Sequence, residues 1–237
     1  FKGFGMNGIT AFGVYIPRGR LIKKAIAEAN IWFDANLKSL SEGERSICNW
    51  DEDTITMAVE AVSACINSMN DKAVDTLYLA STTFPFRDRQ SSVLVCEALS
   101  LEKQLRTMDI GGSQRAATSA LISLLESKHA VNGILVASEH RRTKAGSRAE
   151  MLWGDAAAAV AIGSENVIAE VLGAETLAVD FVDHYRGEEA TFDYDWEERW
   201  IRDEGFMKFV PRVVSALLEQ CSVPAEDIRH FIMPTDQ

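Results

Sequence analysis

The densest concentration of chemistry in this chain lies in Asp109-Ile110-Gly111-Gly112-Ser113-Gln114-Arg115-Ala116-Ala117-Thr118, which joins an apolar strand-like stretch to a helix. The helix presents Ala117, Leu121, Leu124 and Leu125 as its expected inner face. Two glycines permit a tight turn and close approach of a ligand, and the free N–H groups of a helix start stabilise developing negative charge. A Ser or Cys nucleophile at such a spot is activated by the helix dipole. Ser113 occupies it, beside the amide of Gln114; the plainer reading makes Ser113 the N-cap of a core helix. Glu139 and His140 follow a second apolar run, Gly133 to Ser138, and read as loop anchors. Asp155 reads as a hydrogen-bond acceptor shaping a turn. Cys48, Cys65, Cys96 and Cys221 show neither CxxC spacing nor a nearby His pair, so they are expected to be reduced cytosolic core or surface thiols with no metal bound, a lone reactive thiol being the other reading.

The elements that must hold these groups follow from periodicity. Gly8 to Ile16 is strand-like and ends at Pro17-Arg18-Gly19-Arg20, a turn signal. Ile55, Val59, Val62 and Ile66 form a helical stripe over 55–68, with Asp51, Glu52 and Asp53 at its positive end. Thr76 to Ser81 is almost continuously apolar, as in a parallel strand covered on both faces. Leu105 to Ile110, Gly133 to Ser138 and Ala156 to Gly163 repeat that character, with helical stretches between several of them. Alternation of this kind predicts a layered α/β sheet.

The chain has 237 residues, 47% hydrophobic and 25% charged, which is a globular composition and excludes disorder. At this length roughly 70 to 75% of the unfolded surface can be buried, so a core needs neither disulfides nor metals. No apolar run approaches the roughly 18 to 20 residues of a membrane span, and the N-terminal residues carry no secretory pattern. They also lack an initiator Met. A net charge of -11 disfavours nucleic acid and anionic membrane, so an anionic ligand would need a local basic patch.

Residues 57–83 align onto 209–235 without a gap, matching at six positions: Val62/Val214, Ser63/Ser215, Ala64/Ala216, Ala73/Ala225, Asp75/Asp227 and Thr83/Thr235. About two matches would arise by chance from ordinary residue frequencies. Each copy reads as helix, acidic turn, apolar strand and a small polar residue. The second stops two residues after Thr235, so the chain looks cut short. Between the copies, 180–206 holds seven aromatics, ten acidic residues and three basic ones. It reads either as an acidic surface loop with aromatics tucked beneath or as a lid or pocket wall for an apolar substrate, with Trp196 a candidate contact.

The strings GERSICNWDEDTITMAVEA (43–61), LYLASTTFPF (77–86), DIGGSQRAATSAL (109–121), SEHRRTKAGSRAEMLWGDAAAAVAIG (138–163) and DFVDHYR (180–186) carry a family resemblance. Together, in this order, they resemble the thiolase superfamily, in its 3-hydroxy-3-methylglutaryl-CoA synthase branch near ketoacyl synthase III. The resemblance implies a five-layer αβαβα sandwich of two similar halves. The halves are expected at 1–165 and 166–237, the second incomplete and carrying the aromatic and acidic insertion 180–206. It also implies carbon–carbon bond formation between acyl thioesters of coenzyme A, with CoA thioester as substrate and no bound cofactor.

In that branch a Glu, a Cys and a His carry the reaction. Matching the motifs puts Thr83 at the Glu position, Gln114 at the Cys position and Ile232 at the His position. An amide cannot form a thioester, and His230 is offset from Ile232 by roughly 6.5 Å at strand rise. Gln114, Ser113 and Thr83 are therefore the candidate catalytic residues, and Arg18, Arg20 and Arg45, with Lys23 and Lys24 nearby, the candidate phosphate contacts. Three readings follow: an acyl-CoA condensing acyltransferase with altered groups, a catalytically silent scaffold, and a decarboxylase of malonyl-type thioesters in which the Gln114 amide steadies an enolate. The resemblance implies a homodimer, or a hetero-oligomer with a thiolase and a zinc-ribbon/OB-fold protein. The expected setting is cytoplasmic, without nucleic acid or membrane.

Overall fold

The computed structural model describes residues 7–70, 73–127 and 132–233. Two compact units emerge. Among the described residues, one holds 7–141 together with Ala145–Val171; the other holds Arg142–Lys144 and 172–233.

The first unit is built on a sheet whose strands fall close to the apolar runs. They are β1 (Gly8–Tyr15), β4 (Thr76–Ala80), β5 (Arg106–Ile110), β6 (Gly133–Glu139), β7 (Ala156–Gly163) and β8 (Ala169–Glu170), in the order β5-β4-β6-β7-β1-β8. A small antiparallel pair, β2 (Gly19–Ile22) and β3 (Glu44–Ile47), stands apart from it. As expected, β4 is buried along most of its length and runs parallel to both β5 and β6. By contrast β7 is antiparallel to β6, and β1 to β7, which the apolar runs did not indicate. The reason lies in the connection. A parallel return needs a crossover packed on the sheet, but the helix between β6 and β7, α5 (Arg148–Leu152), is only five residues long. Its Met151 and Leu152 pack with Ala27 of α1 (Lys23–Asn30) and Leu37 in a separate small cluster.

The sheet is covered by α2 (Thr54–Ser68), with α3 (Ser91–Ala98) and α4 (Ala116–Leu125) beside the parallel strands. Asp53 caps α2 by accepting from the N–H groups of Ile55 at 2.9 Å and Thr56 at 2.8 Å, and Thr56 Oγ1 accepts from the Asp53 N–H at 2.7 Å. This reciprocal capping box fixes where the helix begins. Small residues then let α2 lie close on the sheet: Ala58, Ala61 and Cys65 face Ala11 of β1 and Ala157, Ala159 and Ala161 of β7 in one buried cluster. The face of α4 is turned by one residue from the expected stripe. Ala116, Ala120, Leu124 and Leu125 are buried, while Ala117 and Leu121 are half-buried at its margin.

At the entry to α2, the Tyr15 hydroxyl donates to the Glu52 carboxylate, which also accepts from the Asn49 N–H at 2.7 Å. The hydrogen bond to Glu52 pushes the Tyr15 phenol from 10.0 up to about 12, and the same bond holds Glu52 below the usual carboxylate range. The signs are opposite. The contribution of Glu52 is present at neutral pH and lost as acid carries the pH through its lowered value; that of Tyr15 is fully present below pH 10 and lost as pH rises through about 12. In Glu52→Gln, a spectrophotometric titration should show the Tyr15 phenolate forming at lower pH, nearer 10. An unchanged midpoint would contradict the pairing.

The second unit contains the 180–206 segment. A two-residue hairpin, β9 (His184–Tyr185) with β10 (Tyr194–Asp195), is followed by α6 (Glu198–Trp200), a π-helical stretch Ile201–Phe206 and α7 (Met207–Cys221). The aromatic side chains form a continuous ladder. Tyr185 meets Tyr194 at 5.5 Å, Tyr194 meets Trp196 at 5.8 Å, Trp196 meets Trp200 at 5.1 Å and Trp200 stacks on Phe181 at 4.5 Å between ring centroids. Trp196 and its neighbours stay substantially exposed, so they are not tucked beneath a loop.

The second copy of the repeat keeps its helix and its acidic turn, α7 and the 3-10 turn Ala225–Asp227. Its expected strand is absent: 228–233 has no regular structure, and Phe231 and Ile232 are exposed. A lone apolar run without paired neighbours cannot satisfy its backbone groups as a strand. Thr235 lies outside the described residues. No described helix is long and apolar enough to cross a membrane.

Candidate functional site

Parallel alignment of β4, β5 and β6 brings their C-terminal ends to one edge of the sheet, where open α/β sheets ordinarily bind ligands. The β4 exit carries Ser81, Thr82 and Thr83, the β5 exit carries Gly111 to Gln114, and the β6 exit carries Glu139, His140 and Arg141. The β4 and β5 exits pass close together. Ser81 N–H donates to the Ile110 carbonyl at 3.0 Å, and a Cβ on Gly111 would stand 3.0 Å from the Ser81 carbonyl oxygen. A larger residue at 111 would require the neighbouring chain to give by a few tenths of an ångström.

Thr83 is the hub of this edge. Its hydroxyl donates to Glu139 Oε2 at 2.9 Å and accepts from the His140 N–H at 3.1 Å, and it lies 2.9 Å from Thr54 Oγ1 and 3.2 Å from Ser81 Oγ. Thr54 also donates to the Thr83 carbonyl at 3.0 Å, and the Thr83 N–H donates to Ser81 Oγ at 2.9 Å. The position at which the resemblance implies a carboxylate thus holds a hydroxyl engaged inside the protein. A carboxylate enters the same corner from the neighbouring strand instead. Glu139 accepts from the Thr82 N–H at 2.6 Å and from the Thr82 hydroxyl at 3.1 Å, and Arg141 Nη2 donates to that hydroxyl at 2.6 Å. This geometry is the loop anchoring expected of Glu139.

Gln114 and Ser113 are exposed in the turn ahead of α4. The N-cap of α4 is Arg115, not Ser113, and it makes no side-chain cap bond. Ser113 Oγ instead accepts from the Arg115 N–H at 3.3 Å, with the Ala116 N–H on the Ser113 carbonyl at 3.0 Å. The turn accounts for the displacement: Gly112 adopts φ of 73°, the left-handed region, and delays helix entry. No cysteine lies in this turn. Cys65 and Cys96 are buried on α2 and α3, where burial pushes their thiols up to about 11; Cys48 follows β3 and Cys221 ends α7.

The remaining expected contacts separate. Arg18 and Arg20 are exposed, Arg20 donating to the Gly19 carbonyl at 2.8 Å and to the Pro17 carbonyl. Arg45 does not fit the role of a surface phosphate contact: it is 7% exposed and donates through Nη1 to the Glu150 carbonyl at 3.0 Å. Its place in β3 turns it inward against α5, which carries Glu150. Ile232 is 89% exposed, and His230, expected to share a strand face with it, lies on no strand. Trp196 belongs to the aromatic ladder of the second unit.

Thr54 was not foreseen as part of the site. It sits inside the EDTxTMAVEA motif, so its presence was marked, but its partner is 29 residues away and only the fold joins them. Cys48, His140 and Asp155 also converge, their candidate ligand atoms all within 4.8 Å of one another. Asp155, the expected turn acceptor, receives the Cys48 N–H on Oδ2 at 2.8 Å.

No family model matches the chain. Hydroxymethylglutaryl-CoA synthase of Methanocaldococcus jannaschii is 26% identical over 236 residues, which cover 96% of this chain and 67% of that protein. A crystal structure of HMG-CoA synthase complexed with CoA superposes with a TM-score of 0.78 at 19% identity, covering 94% of this chain and 58% of that one. The 3-oxoacyl-(acyl carrier protein) synthase III of Pseudomonas aeruginosa PAO1 gives a TM-score of 0.76 at 21% identity, covering 94% and 74%. The chain is thiolase-like. Within that fold it is similar to the hydroxymethylglutaryl-CoA synthase and ketoacyl synthase III branch, as the motifs implied. This thiolase-like chain spans about two thirds of the curated synthase and 58% of the CoA-bound synthase chain.

Proposed function

We propose that the chain acts on acyl-CoA thioesters in a carbon–carbon bond-forming acyl transfer of the hydroxymethylglutaryl-CoA synthase type. The observation that carries this reading is the polar corner at the exits of β4, β5 and β6 in a thiolase-like fold, with Thr83 and Gln114 at the positions for which the resemblance implies Glu and Cys. In this reading Gln114 donates its amide to a thioester carbonyl, Ser113 lies beside it, and Arg18 and Arg20 meet CoA phosphates. Arg45 would join them only by giving up its bond to Glu150, and Trp196 offers an apolar surface to an acyl chain. The two halves, 1–165 and 166–237, are the frame of this reading. Four free thiols suit a cytoplasmic setting.

A second reading is favoured by one observation: the turn before α4 has no thiol and the Thr83 hydroxyl is consumed in internal hydrogen bonds. In that reading the chain is a silent subunit, as a homodimer or beside a thiolase and a zinc-ribbon/OB-fold protein. The experiment offers acetyl-CoA and acetoacetyl-CoA to the purified protein and follows product, with labelled acetyl-CoA and intact mass to detect an acyl adduct. Product formation that falls at least tenfold in Gln114→Ala is the expected result. CoA-thioester binding without product or adduct, together with co-purification of a thiolase, overturns it in favour of the silent subunit. Release of CO2 from malonyl-CoA, abolished by Gln114→Ala, overturns it in favour of a decarboxylase.

A further inference from the structure

Three separate segments of the first unit meet behind the polar corner. Cys48 stands one residue beyond β3, His140 one residue beyond β6, and Asp155 one residue ahead of β7. Asp155 is 2% exposed, a carboxylate largely withdrawn from water. His140 Nδ1 is buried and lies 3.1 Å from Asp155 Oδ2 without forming a hydrogen bond. The Cys48 thiol points to the same place, in hydrogen-bonding reach of the Asp155 carboxylate and 3.5 Å from Met57 Sδ. A carboxylate largely withdrawn from water, a buried imidazole nitrogen with no hydrogen bond and a thiol thus converge on one small volume from three segments, with spacing that a single cation would bridge.

We propose that Cys48 Sγ, His140 Nδ1 and Asp155 Oδ form a site for a borderline-soft divalent transition metal of the zinc class, with a fourth position open. Thiolate, imidazole and carboxylate are the donor set that such a metal selects. Binding exchanges the thiol proton for a sulfur–metal bond, releasing one proton to solvent, and the thiolate and carboxylate together neutralise the dication. Metal–sulfur bonds of about 2.3 Å and metal–nitrogen bonds of about 2.0 Å put tetrahedral donors roughly 3.3 to 3.8 Å apart. Donors now within 4.8 Å reach that spacing by side-chain rotation of about 1 Å.

The backbone beneath the donors is already fixed. Ser46 Oγ donates to the Asp155 carbonyl at 2.7 Å, the Cys48 N–H to Asp155 Oδ2 at 2.8 Å and the His140 N–H to Thr83 Oγ1 at 3.1 Å. These bonds are the outer shell that orients ligands in built metal sites.

The test titrates the purified full chain with cobalt(II) as spectroscopic probe and with zinc(II) against a chromogenic chelator. The expected result is one equivalent bound with a sulfur-to-cobalt charge-transfer band. Cys48→Ser should lose the band, and His140→Ala should weaken zinc binding at least tenfold. His140 is the safer variant for folding, because its side chain is 36% exposed. Cys221→Ser, which alters a thiol in the other unit, should bind as the parent does. Absence of stoichiometric binding in the parent, or unchanged binding in either ligand variant, overturns the proposal. These readouts do not depend on acyl transfer, so their failure is distinct from failure of the proposed function.

Discussion

Gly13→Val should destabilise the sheet-bearing unit by about 3 kcal/mol, at the upper end of what overpacking costs. A Cβ at position 13 would stand 2.2 Å from the Cys65 amide nitrogen and 2.4 Å from the Ala61 carbonyl oxygen, both backbone atoms of α2. A flexible side chain can move aside from such a clash, whereas a helix backbone in the middle of a core cannot. Relief requires lifting α2 off β1 and β7, which opens the cluster around Ala58, Ala61 and Cys65. For a chain of this size the loss corresponds to a melting temperature lower by roughly 6 to 12 °C. Thermal or urea unfolding followed by circular dichroism measures it. Gly187→Ala is the control, since a Cβ there meets nothing within 4 Å, and it should stay within about 0.5 kcal/mol of the parent. Equal stability of Gly13→Val and the control would refute the close packing of α2 on β1.

The second large effect is expected at Glu139. Its carboxylate accepts from the Thr82 N–H, the Thr82 hydroxyl and the Thr83 hydroxyl, and Arg141 bonds the same Thr82 hydroxyl. In Glu139→Ala the hydroxyls can turn to other acceptors. The Thr82 amide cannot turn, and Arg141 loses the nearby negative charge. Stranding these groups in a partly buried corner should cost about 2 to 3 kcal/mol. Glu139→Gln keeps one carbonyl oxygen for the Thr82 N–H and should lose only about 1 kcal/mol. Faster amide hydrogen exchange at Thr82 and Thr83 in the alanine variant, and little change in the glutamine variant, would locate the loss. If exchange at these two amides is the same in all three proteins, Glu139 does not anchor the loop.

The elements were largely legible from local pattern. Runs such as Ala156 to Gly163 and the stripe through Ile55, Val59, Val62 and Ile66 gave strand and helix within a residue or two, because burial on a fixed period is written into neighbouring positions. Errors arose where an element depends on what surrounds it. The second copy's strand needed paired neighbours, the face of α4 shifted with the turn at Gly112, and Arg45 looked like a free surface charge until β3 turned it toward Glu150. Glu139 anchors a loop as expected, whereas Asp155, expected to shape its own turn, instead accepts from the Cys48 N–H 107 residues away.

Sequence alone determined the thiolase-like resemblance, most of the strand and helix positions of the first unit, and the presence of Gln114 where that resemblance implies a cysteine. All of these are properties of order along the chain. Tertiary structure alone decided that β7 returns antiparallel, that Thr54 and Glu139 close on Thr83, and that Cys48, His140 and Asp155 share one small volume. Cys48 and Asp155 are 107 residues apart, and no local rule of spacing relates them. Tertiary docking does: the end of β3 is bonded to the residue ahead of β7 through the Ser46 hydroxyl and the Cys48 N–H, although the two strands belong to different sheets.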